Sequence, residues 1–168
     1  MQKRILLAVF SIFVGTSMSF VQGCARTIED ELVGFWHEIP DTPADWARTY
    51  AFFSDGNFQY STSRMLCGRR LLSIKGTWAH RDGVLTLTHI QQEHRVGGKL
   101  ERSPVCGDGV ELIGATTVIE EITAHKIESI GLKSVEIDSR FKGTLSKMIR
   151  INGQPYWKFS DDPTYKGY

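Results

Sequence analysis

Hydrophobic and polar residues alternate along most of the chain, which is the pattern of half-buried strands. Such runs cover residues 50–53, 58–62, 73–78, 84–90, 117–122, 126–130, 135–138, 144–151 and 155–159. Three of the gaps between runs hold Asp55-Gly56, Asp82-Gly83 and Asn152-Gly153, dipeptides that favour the positive φ angles of hairpin turns. The pattern therefore predicts nine or ten antiparallel strands in an all-β domain, arranged as a barrel or a sandwich.

One short helix and two irregular loops are predicted beside the strands. Thr27 places a hydroxyl three residues before Asp30, as a capping box does, and Gly34 limits the helix to about two turns. Residues 40–46 are predicted to form a loop because they contain Pro40 and Pro43. The glycine-rich segment 97–109 is predicted to form the second loop.

The first 23 residues have the organisation of an export signal. Lys3 and Arg4 precede an apolar run over residues 5–14, which is shorter than the roughly 20 residues that a spanning helix needs. The end of this segment, Val21-Gln22-Gly23-Cys24, resembles the bacterial lipobox, in which the cysteine is lipidated and becomes the new N-terminus. We therefore expect a signal peptide over residues 1–23, a domain over residues 24–168 and a lipid anchor on Cys24. Ordinary cleavage after Gly23 is the alternative.

That resemblance implies a location in the cell envelope. Ala25 does not match the aspartate that retains lipoproteins of this type in the inner membrane, so the outer membrane is expected in a Gram-negative host. The chain has three cysteines, Cys24, Cys67 and Cys106. With Cys24 assigned to lipid, the other two form an even pair in an oxidising compartment. A bridge would close a loop of about 40 residues and contribute about 3–4 kcal/mol; two buried free thiols are the alternative.

Composition narrows the classes of function. The chain has 168 residues with 20 Lys and Arg against 19 Asp and Glu, so it is one nearly neutral domain and binding of nucleic acid is disfavoured. It contains no nucleophile elbow, phosphate-binding glycine loop or His-Glu-x-x-His motif, so we expect neither an enzyme nor a cofactor. His89 shares a face with Leu85 and Leu87, and we expect a hydrogen-bonded interior histidine there rather than a metal ligand.

The segment Gly34-Phe35-Trp36, which follows the predicted helix, resembles the N-terminal signature of lipocalins. The run from Phe53 to Phe58 and the later Gly76-Thr77-Trp78 are similar to small bacterial lipocalin-like domains. The resemblance implies an up-and-down barrel of about 8–10 strands in which Trp36 plugs one end. It also implies that an arginine from a late strand packs over the indole, and Arg150 is the candidate. Gly34, Trp36 and Arg150 would thus form the structural signature.

The resemblance further implies noncatalytic binding of a small hydrophobic molecule inside the barrel. The residues expected to line that cavity are Phe52, Phe58, Tyr60, Trp78 and Leu87. The alternative is a filled barrel that acts as a protein-interaction module, either an envelope assembly factor or an enzyme inhibitor. Its contacts would come from the loops over residues 40–46 and 97–109, with Trp46 as an exposed anchor.

Overall fold

The computed structural model describes residues 27–43 and 46–166. Within this part of the chain lie one short helix and nine strands. They are α1 (Ile28–Leu32), β1 (Gly34–His37), β2 (Thr49–Phe52), β3 (Asn57–Ser61), β4 (Leu71–Arg81), β5 (Val84–Arg102), β6 (Val110–Gly131), β7 (Glu136–Ile137), β8 (Lys147–Ile151) and β9 (Gln154–Ser160). A 3₁₀ helix, Gly143–Ser146, precedes β8.

The nine strands form one antiparallel sheet in the order β6-β5-β4-β3-β2-β1-β9-β8-β7. Neighbouring strands are also consecutive along the chain, except for the pair β1 and β9. The prediction of an all-β, antiparallel domain with a short N-terminal helix is confirmed. Between β6 and β7 the described residues form no backbone ladder, so hydrogen bonds do not close the sheet into a barrel.

Hairpin turns occur at all three of the dipeptides that the pattern singled out. Asp82 and Gly83 have φ angles of 51° and 75°, and Asn152 and Gly153 have φ angles of 53° and 79°. Positive φ at both central residues gives a turn whose twist matches that of the flanking strands. Between β2 and β3, Gly56 also has a positive φ, 82°.

The sheet wraps around one main hydrophobic core. Because side chains alternate along a strand, the strands that supply two core residues supply them at every second position. The core residues are Leu32, Trp36, Tyr50, Phe52, Phe58, Leu85, Leu87, Ile130, Leu132, Ile149, Ile151 and Tyr156. The Asn152 side chain, in the β8–β9 turn, also donates to the Glu128 carboxylate of β6. Side-chain packing therefore brings the two ends of the sheet together although no ladder joins them.

The N-terminal end of the core is closed by α1 and Trp36. The helix begins with the expected capping box, in which Thr27 and Asp30 each accept from the other's backbone N–H. Trp36 is fully buried, and its indole N–H donates to the Leu32 carbonyl at 2.8 Å. Gly34 has a φ of 137°, and a Cβ there would overlap the backbone of the neighbouring strand β9. Only glycine fits at this position without strain.

The cation that lies over Trp36 is Lys158, not Arg150 as the resemblance implied. The Lys158 ammonium is 5.6 Å from the centroid of the indole ring. Arg150 follows the core residue Ile149 on β8, so the alternation of the strand turns it outward. There it lies 3.5 Å from the Glu136 carboxylate with about half of its side chain exposed.

β5 and β6 extend far beyond their neighbour in the sheet. The β4–β5 ladder ends at the pair Leu71–His94, whereas the β5–β6 ladder continues to Arg102–Val110. We call residues 95–118 the arm. The prediction of a loop over residues 97–109 is therefore wrong for the first half of that segment, which belongs to β5. Gly97 and Gly98 adopt positive φ angles within β5, so their glycine signal marks irregular strand rather than loop.

The runs 117–122 and 126–130, expected as two strands, belong to the single strand β6. The ladder pairs Gln91–Glu121 and His89–Lys126 are separated by one residue on β5 but by four on β6. Residues 122–125 therefore have no partner on β5 and form a bulge. A bulge of this kind bends a strand without ending it.

Candidate functional site

The five residues expected to line a cavity meet in the core. Phe52, Phe58 and Leu87 are 0–2 % exposed, and Tyr60 and Trp78 pack against them. The rings of Phe52 and Trp78 meet edge to face, with centroids 5.5 Å apart. Such aromatic contacts are among the more stabilising that a core contains. These five side chains thus pack against one another inside the sheet.

A polar, partly exposed layer lies beside the core, two residues along the strands from Trp36, where the side chains of Glu38 and Arg48 are 12 % and 36 % exposed. The Arg48 guanidinium donates to both carboxylate oxygens of Glu38, at 2.8 and 2.6 Å. Tyr50 stands between Tyr60 and Tyr156, with ring centroids 5.0 and 5.1 Å away. The bidentate pair and the three phenols form one cluster, which we call the tyrosine cluster.

The environment of this cluster favours neutral phenols. Burial raises the pKa of Tyr50, Tyr60 and Tyr156 above the ordinary value, most strongly for Tyr50 and Tyr156. The hydrogen bond to Glu38 raises the pKa of Arg48 in turn. No hydrogen bond joins the hydroxyl of Tyr50 or Tyr156 to another described residue. Among the described residues, the fully enclosed side-chain polar atom without a partner is instead Nδ1 of His94.

The sequence analysis did not identify Glu38 and Arg48 as site residues, although their spacing from buried aromatic residues indicates their position. Glu38 follows the buried Trp36 by two residues, and Arg48 precedes the buried Tyr50 by two. The period of a strand places all four side chains on one face. A pair of opposite charges can be partly buried at such positions when its charges and hydrogen bonds are matched, as they are here.

His89 points inward, as its alternation with Leu85 and Leu87 predicts. It is 6 % exposed, and its Nε2 lies 3.4 Å from the Glu128 carboxylate. Burial lowers the pKa of His89, although the Glu128 carboxylate acts in the opposite direction. In residues 27–43 and 46–166, no group of three or more His, Cys, Asp or Glu side chains is placed to hold a metal ion.

The arm is fixed to the β3–β4 connection, residues 62–70. Cys67 and Cys106 form a disulfide with Cα atoms 5.7 Å apart, the pairing that the cysteine count favoured. The Gly107 N–H donates to the Met65 carbonyl at 2.7 Å, and the Arg95 guanidinium donates to the Cys67 carbonyl at 2.9 Å. The tip of the arm is therefore held by covalent and polar contacts, although it lies beyond the main core.

Trp46 lies at the same end of the molecule and is 53 % exposed. Its carbonyl accepts from the Ser63 hydroxyl at 2.6 Å, and the Ser63 hydroxyl accepts from the Met65 N–H at 3.1 Å. Because Met65 also bonds Gly107, a short chain of hydrogen bonds links the Trp46 loop to the tip of the arm. The two loops proposed as contact segments are thus tied to one scaffold.

The arm carries a concentration of exposed apolar side chains. They are Val96 at 49 %, Leu100 at 60 %, Val105 at 77 %, Ile113 at 45 % and Val118 at 38 % exposure. Nearly half of the large exposed hydrophobic residues in the described part of the chain thus lie on these 24 positions. Leu100 is paired with Leu112 in the ladder, so the next residue, Ile113, lies on the opposite face, and the apolar side chains are distributed over both faces of the arm. A concentration of exposed apolar residues on one element is typical of a protein interface.

Two grooves open on the face of the sheet that is turned away from the core. One, of about 420 Å³, lies between the β2–β3 turn and β5 and is bordered by Phe53, Asp55, Lys75 and Gln91. The other, of about 960 Å³, runs between the β3–β4 connection and Tyr165 over a largely polar floor. Phe58 is the one expected lining residue that borders either of these two grooves.

Cys24 and the export signal lie outside the described residues. Among those residues, no helix combines the length and the apolar character needed to cross a bilayer. Neither a protein-family model, nor a curated protein, nor a solved structure matches this chain.

Proposed function

We propose that this chain is a noncatalytic, lipocalin-like domain of the cell envelope that binds a protein partner through Trp46 and the arm. A lipid on Cys24 would tether it to the membrane. The observation that carries the proposal is the distribution of apolar side chains. The interior is occupied by packed aromatic residues, whereas exposed apolar residues gather on a braced arm beside an exposed tryptophan.

Physical arguments favour a binding role for that surface. Leaving five apolar side chains in water costs solubility and contributes nothing to the core, so an isolated domain gains nothing from them. Tryptophan is enriched among the residues that dominate binding energy. The disulfide and the Trp46–Ser63–Met65–Gly107 contacts order the surface before binding, which reduces the entropy lost on association.

Site-specific photocrosslinking in the producing cells tests this proposal. A photoreactive residue at Leu100 or Val105 should trap a discrete protein adduct. The matched control is Val84, an exposed apolar residue at the opposite end of the same hairpin. Adducts at the two arm positions and none at Val84 support the proposal. Equal trapping at all three positions, or none at any, contradicts it.

Binding of a small amphipathic molecule is the second candidate, and the tyrosine cluster favours it. The Tyr50 and Tyr156 hydroxyls have no partner among the described residues, and Arg48 is held by Glu38 beside them. A guest with an apolar tail and an oxygen-rich head would match such a site. Loss of one neutral hydrogen bond weakens binding by about twofold to tenfold.

A titration with laurate tests the second candidate. We expect Tyr156→Phe to weaken laurate binding, because it removes a hydroxyl from the cluster. Tyr165→Phe, on the exposed C-terminal segment, should leave binding unchanged. Failure of the wild-type protein to bind laurate, followed in tryptophan fluorescence, would remove the reason for assigning a guest to this site.

A further inference from the structure

A stretch of β6 outside the arm is complementary to itself. From position 119 to position 127 it reads Ile-Glu-Glu-Ile-Thr-Ala-His-Lys-Ile. Thr123 is its centre, two acidic residues lie on one side, and a lysine and a histidine lie at equal distances on the other. Ile119 and Ile127, which end the stretch, are each 65 % exposed.

This stretch also lies at an unpaired edge. β6 is the last strand of the sheet, and in the described part of the chain its outer side has no ladder partner. The bulge over residues 122–125 removes even the inner pairing from the centre of the stretch. Exposed edges of this length can pair with strands of other chains. A protein with such an edge therefore either has features that prevent this pairing or uses the edge to bind a partner.

We propose that this edge pairs with the same edge of a second copy of the chain, antiparallel and centred on Thr123. Glu120 then faces Lys126 of the second copy, and Glu121 faces His125. Ile119 faces Ile127. Each pair occurs twice because the arrangement is symmetric, as a closed dimer requires. Directly opposed residues of opposite charge, and directly opposed β-branched residues, are favourable cross-strand pairs.

The charges allow only this register. Centring the pair on Ala124 would place Glu120 opposite Glu128, which brings like charges together. Centring it on Ile122 would place Val118 opposite Lys126 and Ile119 opposite His125, which loses both the ionic and the apolar pairs. A register is well specified when slipping it separates matched side chains. Of the three neighbouring centres, only Thr123 matches both the ionic pairs and the apolar pairs.

The acidic side chains are already oriented for such a partner. The Gln92 amide donates to Glu120 at 2.9 Å, and the Gln91 amide donates to Glu121 at 2.7 Å. Each bond engages one carboxylate oxygen, and Nε2 of His94 lies 3.9 Å from the same oxygen of Glu120. The second oxygen of each carboxylate makes no hydrogen bond to a described residue. The charges disfavour indiscriminate strand addition, since an unrelated strand would leave the carboxylates unpaired.

A cysteine placed at the symmetry centre tests the proposal. In a Cys24→Ser background, Thr123→Cys should form a disulfide-linked dimer on mild oxidation, because the two copies of position 123 are directly opposed. Thr117→Cys is the matched control, being an exposed threonine on the same strand. In the proposed dimer its two copies are about 40 Å apart, at 3.3 Å per residue. It should form no disulfide-linked dimer under the same oxidation.

Charge reversal provides a second measurement that does not depend on a new thiol. In sedimentation equilibrium, Glu120→Lys and Lys126→Glu should each raise the dimer dissociation constant by about tenfold or more. The double variant restores both ionic pairs with reversed signs and should recover dimerisation. Restoration by the double change is a result that simple misfolding of either variant cannot produce.

The outcomes separate this proposal from the function proposed above. A wild-type chain that sediments as a monomer from low to high micromolar concentration, or equal cross-linking at positions 123 and 117, overturns the dimer. Neither result affects the arm, which the photoreactive residues at Leu100 and Val105 test by themselves. Conversely, if photoreactive residues on the arm trap no protein, the evidence for the dimer from Thr123→Cys is unaffected.

Discussion

At the scale of single residues, Lys158 makes several polar contacts at the end of the core that α1 and Trp36 close. It is 1 % exposed, donates to the Glu31 carbonyl at 2.8 Å and lies 2.6 Å from the Asp161 carboxylate. Burial lowers the pKa of its ammonium, and the Asp161 carboxylate opposes that shift. The buried charge is stabilised because it has these partners and the Trp36 ring beneath it.

Replacing Lys158 by Met should therefore lower the free energy of unfolding by about 1.5–3 kcal/mol, the range for a hydrogen bond to a charged group. Methionine preserves most of the buried volume, so the loss would report on charge. Arg150→Met is the matched control, and at this half-exposed site it should cost less than about 0.5 kcal/mol. Urea denaturation of the two variants measures both losses in the free energy of unfolding. A larger loss for Arg150→Met than for Lys158→Met would support Arg150, not Lys158, as the partner of Trp36.

His89 makes the stability of the domain depend on pH. Burial and the Lys126 ammonium lower the pKa of its imidazole, and the Glu128 carboxylate opposes them. The pKa in the folded state therefore lies below that in the unfolded chain, which is about 6.5. As the pH falls through that value, the unfolded chain takes up more protons than the folded one. Stability consequently falls toward acid pH.

His89→Gln should flatten this dependence, because it removes the group that titrates differently in the two states. The measurement is the free energy of unfolding by urea at about pH 7.5 and about pH 5.5, on either side of the unfolded-state pKa. Ser134→Gln, at an exposed position after β6, introduces the same side chain without removing an imidazole, and this control should follow the wild-type curve. The assignment fails if the two variants behave alike.

At the scale of elements, the arm depends on its disulfide more than the sheet does. The main core contains no residue of positions 95–118, and the buried hydrophobic residues of the arm are Cys106 and Leu112, so the arm has little of the apolar burial that holds the sheet. The Cys67–Cys106 bridge and a few backbone bonds replace that burial. Regions with few buried contacts open locally at a lower free energy than the core does.

The double change Cys67→Ala and Cys106→Ala should loosen the arm before the sheet. Hydrogen exchange should accelerate by about tenfold or more in residues 95–118, because local opening there loses its covalent restraint. Strands β1–β3 should retain slow exchange until the protein unfolds as a whole. Cys24→Ser controls for the loss of a thiol. Uniform acceleration across all strands would show that the bridge acts only by restricting the unfolded chain.

Much of the element pattern was predictable from the sequence. Asp82-Gly83 and Asn152-Gly153 mark their turns because few other residues accept the required φ angles. The loop predicted at Gly97 and Gly98 was wrong, because positive φ angles also occur inside an irregular strand. The partner of Trp36 was not predictable, because it depends on a register shift between β1 and β9 beside Trp36. Such a shift is set by packing across the sheet, and no local pattern encodes it.

At the scale of the whole molecule, the account rests on where apolar surface is buried and where it is exposed. Twelve core residues from seven of the strands and their flanking segments pack within the curled sheet. The arm instead directs apolar side chains outward, next to Trp46. The aromatic positions were predictable from alternation, but whether they enclose a cavity was not, since filling depends on the curvature of the sheet.

Native mass spectrometry tests the central claim most directly. It would compare the Cys24→Ser protein, isolated without detergent from the cells that make it, with the same protein carrying Leu100→Asp and Val105→Asp. The account predicts, on the first and not on the second, an excess mass that matches a protein other than a second copy of the chain, with no small-molecule adduct on either. A reproducible small-molecule adduct on both proteins, released on denaturation and with no bound protein, would contradict it.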